Sequence, residues 1–535
     1  MADEIVPLLF LGNITDSINW RGAVVPCLFD VGYLREDVLN ALLEKIHRYR
    51  GEGVPVLVHC ENGIDRSPTI VMHYLVRKLG MSQEEAIKLI KEKRPVANPH
   101  PEWEIRKSVK VVTDDFLKQV VAVPMREEKK QAHSFLWYDT GLSCDHAIQL
   151  GRQGHAVHYF IEHRTRYPRI EDWLPCYGFK EVQKVLDWGE VLDAVETIVF
   201  VDVGFASLAD VLRKKGYAVF GASVKGEHLE EDRIYMLKTF EELGIKVPKH
   251  RVVHGVSGLL NAFEGKQFVK LNIFRGNFET FYARTKEELR IELERAGFGP
   301  VGEEIDFILT EKVEGVEIGV DTFFNGREFL RPINEGNEVK GTGAQFNRWA
   351  ETSIWDGVLE KLEPWLREAG YRGALSLEGI FDGSDIYVID VTARLFFPGS
   401  SIYPACLENY ADVIHAVARG EYVKPRFSHK YSSLLVASRS RADVWTRVHF
   451  PEELAWKKIF IPRCAVFING EYWCCPGDTI VATIVGVGNT FDESAAEVEK
   501  LAEQVVGREI EVGIHGLFKY RREYLSKLRE YGVSW

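Results

Sequence analysis

Two stretches of this chain carry side chains whose types and spacing can do phosphate chemistry. The first is Ala374-Leu-Ser-Leu-Glu-Gly-Ile-Phe-Asp-Gly-Ser-Asp-Ile-Tyr-Val-Ile-Asp-Val-Thr-Ala-Arg394, which reads as two short strands joined by an Asp382-Gly383-Ser384-Asp385 turn. Such a hairpin sets Glu378 beside Asp390, with Thr392 and Arg394 following at period two on the face of Asp390. Mg²⁺ is held by one or two carboxylates plus phosphate oxygens, and a nearby Arg neutralises charge on a transferred phosphoryl group. Taken alone, an acid-bearing hairpin is more often a solvated surface turn, so its weight depends on the rest of the chain.

The second stretch is Pro55-Val-Leu-Val-His59, a buried-strand run that feeds Cys60-Glu61-Asn62-Gly63-Ile64-Asp65-Arg66-Ser67-Pro68, after which Thr69 to Lys78 has helical periodicity. Gly63 lets the loop curl, Pro68 suits the first helical turn, and Gly80 stops the helix. A loop closing onto a helix N-terminus aims amide N–H groups inward and forms a nest for an anion. The same amides and dipole are expected to lower the pKa of Cys60 and make it a thiolate nucleophile, while Arg66 grips phosphate oxygens bidentately.

Composition bounds what these stretches can serve. The 535 residues are 46% hydrophobic and 27% charged, an ordinary globular composition with room for three or four domains. A net charge of -12 argues against general nucleic-acid binding and favours small-molecule partners. The eight Cys have no paired spacing that suggests zinc or a disulfide framework, and a reducing cytoplasm fits best. The N-terminus has no signal-peptide pattern, and no run reaches the roughly 18 apolar residues of a membrane span.

His59-Cys60-x5-Arg66-Ser67 resembles the signature of dual-specificity, cysteine-dependent protein phosphatases. Leu9 to Asn13 and Arg94-Pro-Val-Ala-Asn98 resemble further landmarks of that family, so the likeness covers residues 1 to about 110. The resemblance implies a general acid on an upstream loop, here Asp30. It would protonate the leaving oxygen as Cys60 attacks phosphorus and then activate the hydrolytic water, with Ser67 assisting release of the thiolate. Glu61 and Asp65 depart from the commoner loop and make the pocket less cationic. An Asp directly before the Arg also occurs in myotubularin-like lipid phosphatases, so Asp65 is a rival acid and a nonprotein substrate stays open. Ser82-Gln-Glu-Glu85 is a capping box opening the next helix.

Beyond a charged linker ending at His133, strands and helices alternate from Ser134 to Gly221, which implies a parallel α/β layer. From Glu230 the chain resembles ATP-grasp enzymes. Glu231 to Ile245 looks like the helix leading into their ATP-binding lobe and brings Arg233. Phe268-Val-Lys270 is a strand whose lysine would reach the α and β phosphates, followed by Gly276 as the remnant of a glycine-rich flap. Glu311, Lys312 and Val313 fall where the inter-lobe strand bonds adenine, and Glu317 where ribose is held. The resemblance assigns magnesium, one or two ions, to Glu378 and Asp390, and phosphate contact to Arg394. Thr392 stands where an Asn is usual.

Val481 to Ser494, the helix to Val506 and Gly516 to Arg522 resemble the C-terminal domain of glycinamide ribonucleotide synthetase. That family joins a carboxylate to an amine through an acyl phosphate. Its glycine-rich ribose-phosphate turn is replaced here by Asp139-Thr-Gly-Leu-Ser143, and the segment after the arginine by Leu395-Phe-Phe-Pro-Gly-Ser400, so a different substrate is expected. The polar, glycine-rich Gly341 to Arg348 is either an acceptor-site loop or a surface loop.

The expected architecture is α/β and multidomain: a phosphatase domain (1–122), a linker (123–133), a pre-ATP-grasp α/β layer (134–225), an α+β ATP-grasp domain (226–430) and a small α+β C-terminal domain (431–535). The expected function is a cytoplasmic two-headed enzyme, phosphatase and ATP-dependent carboxylate–amine ligase. Its partners would be small carboxylates and amines together with a phosphorylated metabolite or phosphoprotein. The alternatives are a small-molecule kinase opposed by the phosphatase, or a degenerate ATP-binding module attached to an active phosphatase.

Overall fold

The computed structural model describes all residues except 1, 14–15, 17–19, 21, 28–32, 61–62, 107–131, 162–173, 186, 273–279, 340–343, 513–516 and 534. The first unit is a four-stranded sheet in the order Asp3–Val6, Leu9–Asn13, Val56–Cys60, Ala23–Pro26. The first pair is antiparallel and the others parallel. Val56–Cys60 is the central strand of the parallel part, and all five of its residues are buried, as its unbroken apolar run requires. The helix Arg66–Leu79 follows it and ends at Gly80, whose φ of 73° closes the left-handed cap. Ser82 and Glu85 form both halves of the capping box that opens Gln83–Lys93.

A five-stranded, wholly parallel sheet comes next: Val219–Phe220, Thr197–Phe200, Ser134–Asp139, Ala156–Ile161, Gln183–Lys184. The helices Cys144–Arg152 and Ala206–Lys214 cross over between its strands. The phosphatase-like unit touches this layer through Lys45, whose Nζ lies 3.3 Å from Asp187 and 2.9 Å from Glu190.

The part that resembles ATP-grasp enzymes is built on two antiparallel sheets. The smaller runs His250–His254, Asp306–Glu311, Gln267–Leu271, Thr280–Ala283. The larger has nine strands, beginning Ile386–Thr392, Gly373–Phe381, Val316–Phe324, Ile333–Val339, Ala344–Ala350, Tyr431–Arg439, Ile480–Gly488. Because Ala344–Ala350 pairs with Tyr431–Arg439, this sheet runs unbroken across the sequence boundary drawn at 430. The segment read as a glycine-rich loop is, from Ala344 onward, one of its strands, and five of its first six residues are buried. The helix Arg233–Glu242 begins two residues later than Glu231, because Asp232 caps it by accepting from the Tyr235 N–H.

Among the described residues, no helix is long and apolar enough to cross a membrane.

Candidate active sites

Cys60 ends its strand at the bottom of the phosphatase-like loop and is buried. The Ser67 hydroxyl donates to its Sγ at 3.1 Å, and Arg66 opens the helix that follows. Gly63 has φ +68°, and a Cβ there would sit 2.6 Å from the Gly12 carbonyl, so the loop closes only with glycine. The Arg94-to-Asn98 segment braces the loop from behind. Arg94 Nε donates to the Gly63 carbonyl at 3.0 Å, its Nη1 lies 2.6 Å from Asp3, and Asn98 N–H donates to the Ile64 carbonyl at 2.6 Å. Burial pushes the His59 imidazole down to about 4, which keeps a neutral ring behind Cys60.

Asp65 was the rival acid. Its Oδ1 lies 3.0 Å from His100 Nε2, and His100 Nδ1 lies 2.5 Å from Glu102. The imidazole stacks on Trp103 at 4.7 Å. Sequence reading missed His100, which stands two residues beyond the recognised Arg94-to-Asn98 segment. Asp30, Glu61 and Asn62 lie outside the described residues.

In the large sheet, Glu378 and Asp390 are register partners across the hairpin, side by side as the sequence reading expects. The pairing slips by one residue next to them, so that Gly379 meets Val388 and Ile389 is left over. The carbonyl of that spare residue accepts from Lys270 Nζ at 2.8 Å. The bulge therefore ties the lysine of the small sheet to the carboxylate strand of the large one.

A cleft of about 850 Å³ lies between the two sheets. It is lined by Arg233, Lys270, Glu311, Lys312, Val313, Glu317, Glu378 and Asp390, which are all the expected ATP and metal residues except Gly276, outside the described residues. Met236, Leu237, Phe268 and Ile308 give it an apolar wall. The C-terminal helix Leu517–Glu530 adds Tyr520, Tyr524 and Lys527, which the sequence reading did not place here. Tyr520 reaches Asn337 with its hydroxyl at 3.1 Å, and Asn337 Nδ2 donates to the Glu317 carbonyl at 3.0 Å. A face spaced 520, 524, 527 is the helical signal that could have found this wall.

A second cavity of about 110 Å³ opens beside the first and shares Glu317, Asn337, Glu378 and Asp390 with it. Its other polar lining includes Asp321, Gln345, Asn347, Thr392 and Arg394. Burial pushes the Asp321 carboxyl up to about 7, against a 2.9 Å hydrogen bond from Asn334. Gln345 Oε1 and Asn347 Nδ2 are buried and have no hydrogen-bond partner among the described residues, so the cavity presents unsatisfied polar atoms. The Arg394 guanidinium is fixed by Asp202 at 3.1 Å and Glu230 at 3.0 Å, and Glu230 also accepts from Ala393 N–H at 2.7 Å. Neither acid was among the expected site residues, because no local spacing connects them to Arg394.

The Asp139-to-Ser143 turn also has a structural explanation. The Asp139 carboxylate accepts from the N–H groups of Gly141, Leu142 and Ser143 and from the Tyr159 hydroxyl, at 2.9 to 3.1 Å. The turn's nest is filled by an anion of the chain itself, whose carboxyl burial pushes up to about 6.

The Glu378 and Asp390 pair fits a hard divalent cation: two carboxylate residues stand opposite each other in register, both line the cleft, and Lys270 reaches the backbone beside Asp390.

Comparison with known proteins finds relatives of the N-terminal region and structural neighbours of the rest of the chain. The catalytic-domain model of dual specificity phosphatases matches residues 33–105. Dual specificity protein phosphatase 15 of Mus musculus is 33% identical over 123 residues, covering 18% of this chain and 52% of that protein. Dual specificity protein phosphatase 1 of Arabidopsis thaliana is 42% identical over 65 residues, covering 12% of this chain and 33% of that protein. The chain thus spans about half the length, or less, of these curated relatives.

Among solved structures, phosphoribosylamine–glycine ligase of Thermotoga maritima superposes with a TM-score of 0.52 at 20% identity, over 71% of this chain and 98% of that one. The biotin carboxylase domain of Hydrogenobacter thermophilus 2-oxoglutarate carboxylase, in complex with MgADP and bicarbonate, does so with a TM-score of 0.55 at 14% identity, over 75% and 98%. The chain therefore joins an N-terminal region similar to dual-specificity phosphatases to a larger part with the fold of ATP-grasp enzymes.

Proposed function

We propose that the chain is a bifunctional enzyme: a cysteine-dependent phosphomonoester phosphatase fused to an ATP-dependent ligase that joins a small carboxylate to an amine. The observation that carries the ligase half is the pair of cavities meeting at Glu378 and Asp390. The large one suits a nucleotide triphosphate, with an apolar wall for the base and Lys270 for phosphate oxygens. The small one offers Arg394 to an acceptor carboxylate where the terminal phosphate would arrive. In the proposed reaction a carboxylate oxygen attacks the terminal phosphorus, ADP leaves, the amine attacks the acyl carbon, and inorganic phosphate departs from the amide. Mg²⁺ held by Glu378 and Asp390 would supply charge neutralisation on the phosphates. Arg233 also reaches Asp390, Nη2 to Oδ2 at 3.6 Å, which keeps a fixed cation at the same place.

In the phosphatase half, Cys60 Sγ attacks phosphorus while Arg66 and the loop amides hold the equatorial oxygens. Ser67, hydrogen-bonded to Sγ, eases departure of the thiolate when water cleaves the phosphocysteine. Asp65 is turned towards His100, which supports Asp30 as the acid. A phosphorylated metabolite or phosphoprotein is the expected substrate of this half, and a cytoplasmic setting fits ATP-dependent chemistry alongside eight free, buried thiols.

The test of the ligase half is ADP release from ATP and Mg²⁺ across a matrix of small carboxylates and amines, with Lys270→Ala as control. ADP formed only when both partners are present supports the ligase. ADP with a single partner and a stable phosphorylated product would replace it by a kinase.

A further inference from the structure

Away from both active sites, three segments distant in sequence bring two imidazoles and a carboxylate together. His133 immediately precedes the strand Ser134–Asp139, Glu196 immediately precedes the neighbouring strand Thr197–Phe200, and His415 lies on the helix Tyr410–Arg419. One ligand atom from each lies within 4.8 Å of the other two. His133 Nδ1 stands 3.3 Å from Glu196 Oε2, and the His133 and His415 rings are 4.3 Å apart. None of the three lines either cavity.

The outer nitrogens of both rings already have partners. His133 Nε2 lies 3.1 Å from Asp412 Oδ1, and His415 Nδ1 lies 2.7 Å from Thr197 Oγ1. A metal-ligating histidine nearly always donates its other ring N–H to an oxygen in this way, which fixes the tautomer and turns the free lone pair inward. Here His133 turns Nδ1 to Glu196, and His415 offers one ring nitrogen to the same cluster. Glu196 is oriented in turn by the Ser134 N–H, which donates to its Oε2 at 3.1 Å. The Glu196 side chain is 53% exposed, which leaves a path from solvent.

We propose that His133, Glu196 and His415 bind a divalent transition metal of the zinc class, with Asp412 and Thr197 as its outer shell. Two imidazoles and one carboxylate select such an ion over Mg²⁺ or Ca²⁺, which prefer all-oxygen sets, and a fourth position remains for water. Bound there, the ion clasps the amino ends of two strands of the parallel layer to a helix of the ATP-grasp part. It also anchors His133, where the chain arrives from the phosphatase-like unit.

The test is calorimetric titration of the chelator-stripped full-length chain with ZnCl₂ in excess Mg²⁺, paired with the visible spectrum of the cobalt(II) form. One equivalent is expected, with a cobalt spectrum free of the near-ultraviolet thiolate charge-transfer band that a cysteine site would give. His133→Ala and His415→Ala should each weaken binding at least about 100-fold, and Asp412→Asn about 10-fold, within the range that outer-shell losses cost. Glu196→Gln, on an exposed side chain, carries the same expectation as the histidine variants should either of those misfold. ATP binding should be unchanged in all four. No bound equivalent, binding that survives loss of the ligands, or a thiolate band would overturn the assignment.

Discussion

Glu230 offers the sharpest perturbation of the acceptor cavity without touching its lining. One of its carboxylate oxygens accepts from Arg394 Nε at 3.0 Å and the other from Ala393 N–H at 2.7 Å, and the side chain is buried. Glu230→Gln keeps the shape but has one acceptor oxygen instead of two. Whichever way the amide turns, either the guanidinium or a buried backbone N–H faces an NH₂ group. Leaving a buried donor without its acceptor costs about 1–3 kcal/mol. Because Asp202 still holds Arg394 at 3.1 Å, the guanidinium stays in place but loses its fixed orientation. Expressed in the transition state, that range corresponds to roughly a 5- to 160-fold loss of kcat/KM. The assay is ADP release with the carboxylate and amine pair that supports turnover. The loss should fall on kcat/KM for the carboxylate, with KM for ATP unchanged, because Glu230 does not line the nucleotide cleft. Unaltered carboxylate kinetics, or an equal rise in KM for ATP, would refute the role given to Arg394.

Other perturbations separate the two halves. Cys60→Ser should abolish hydrolysis of an aryl phosphate while leaving ADP release intact, since the thiol is the attacking atom of the first half alone. Ser67→Ala, which removes the 3.1 Å hydrogen bond to Sγ, should slow phosphoenzyme breakdown more than its formation, seen as a burst of product before a slower steady state. Lys270→Ala should lower ATP-dependent turnover about 100-fold, as loss of a fixed phosphate cation does elsewhere, without changing aryl phosphate hydrolysis.

His100 carries a pH signature. Burial alone would lower its pKa, but the Asp65 and Glu102 carboxylates outweigh that and raise it. A folded-state pKa above the unfolded value contributes stability that is complete below about 6.5 and is lost as pH rises through the raised value. The urea midpoint of the wild type should therefore fall from pH 6 to pH 8.5, and His100→Ala should flatten that decline.

Local pattern carried much of the fold into the sequence, and contacts between distant segments carried the rest. An unbroken apolar run marked Val56–Cys60, glycine and capping residues marked the ends of Arg66–Leu79 and Gln83–Lys93, and the alternation from Ser134 to Gly221 resolved into a parallel sheet. Period two placed Asp390, Thr392 and Arg394 on one cavity. What was not legible depends on distant pairing. Asp202 and Glu230 reach Arg394 from other segments, and the Ile389 bulge that receives Lys270 exists only once two strands have chosen their register. The continuity of the large sheet through Tyr431–Arg439 likewise has no local signal, because a strand does not announce its partner. His100 lies close to a recognised segment, but no spacing in the sequence ties it to Asp65, thirty-five residues earlier.

The measurement that tests the ligase claim most directly is the fate of oxygen-18 placed in the carboxylate substrate, followed in a Cys60→Ser background so that phosphatase activity does not release phosphate from other products. An acyl phosphate route transfers one labelled oxygen to inorganic phosphate for each ADP formed. Label retained entirely in the organic product, or a phosphorylated product that accumulates in place of inorganic phosphate, would contradict it.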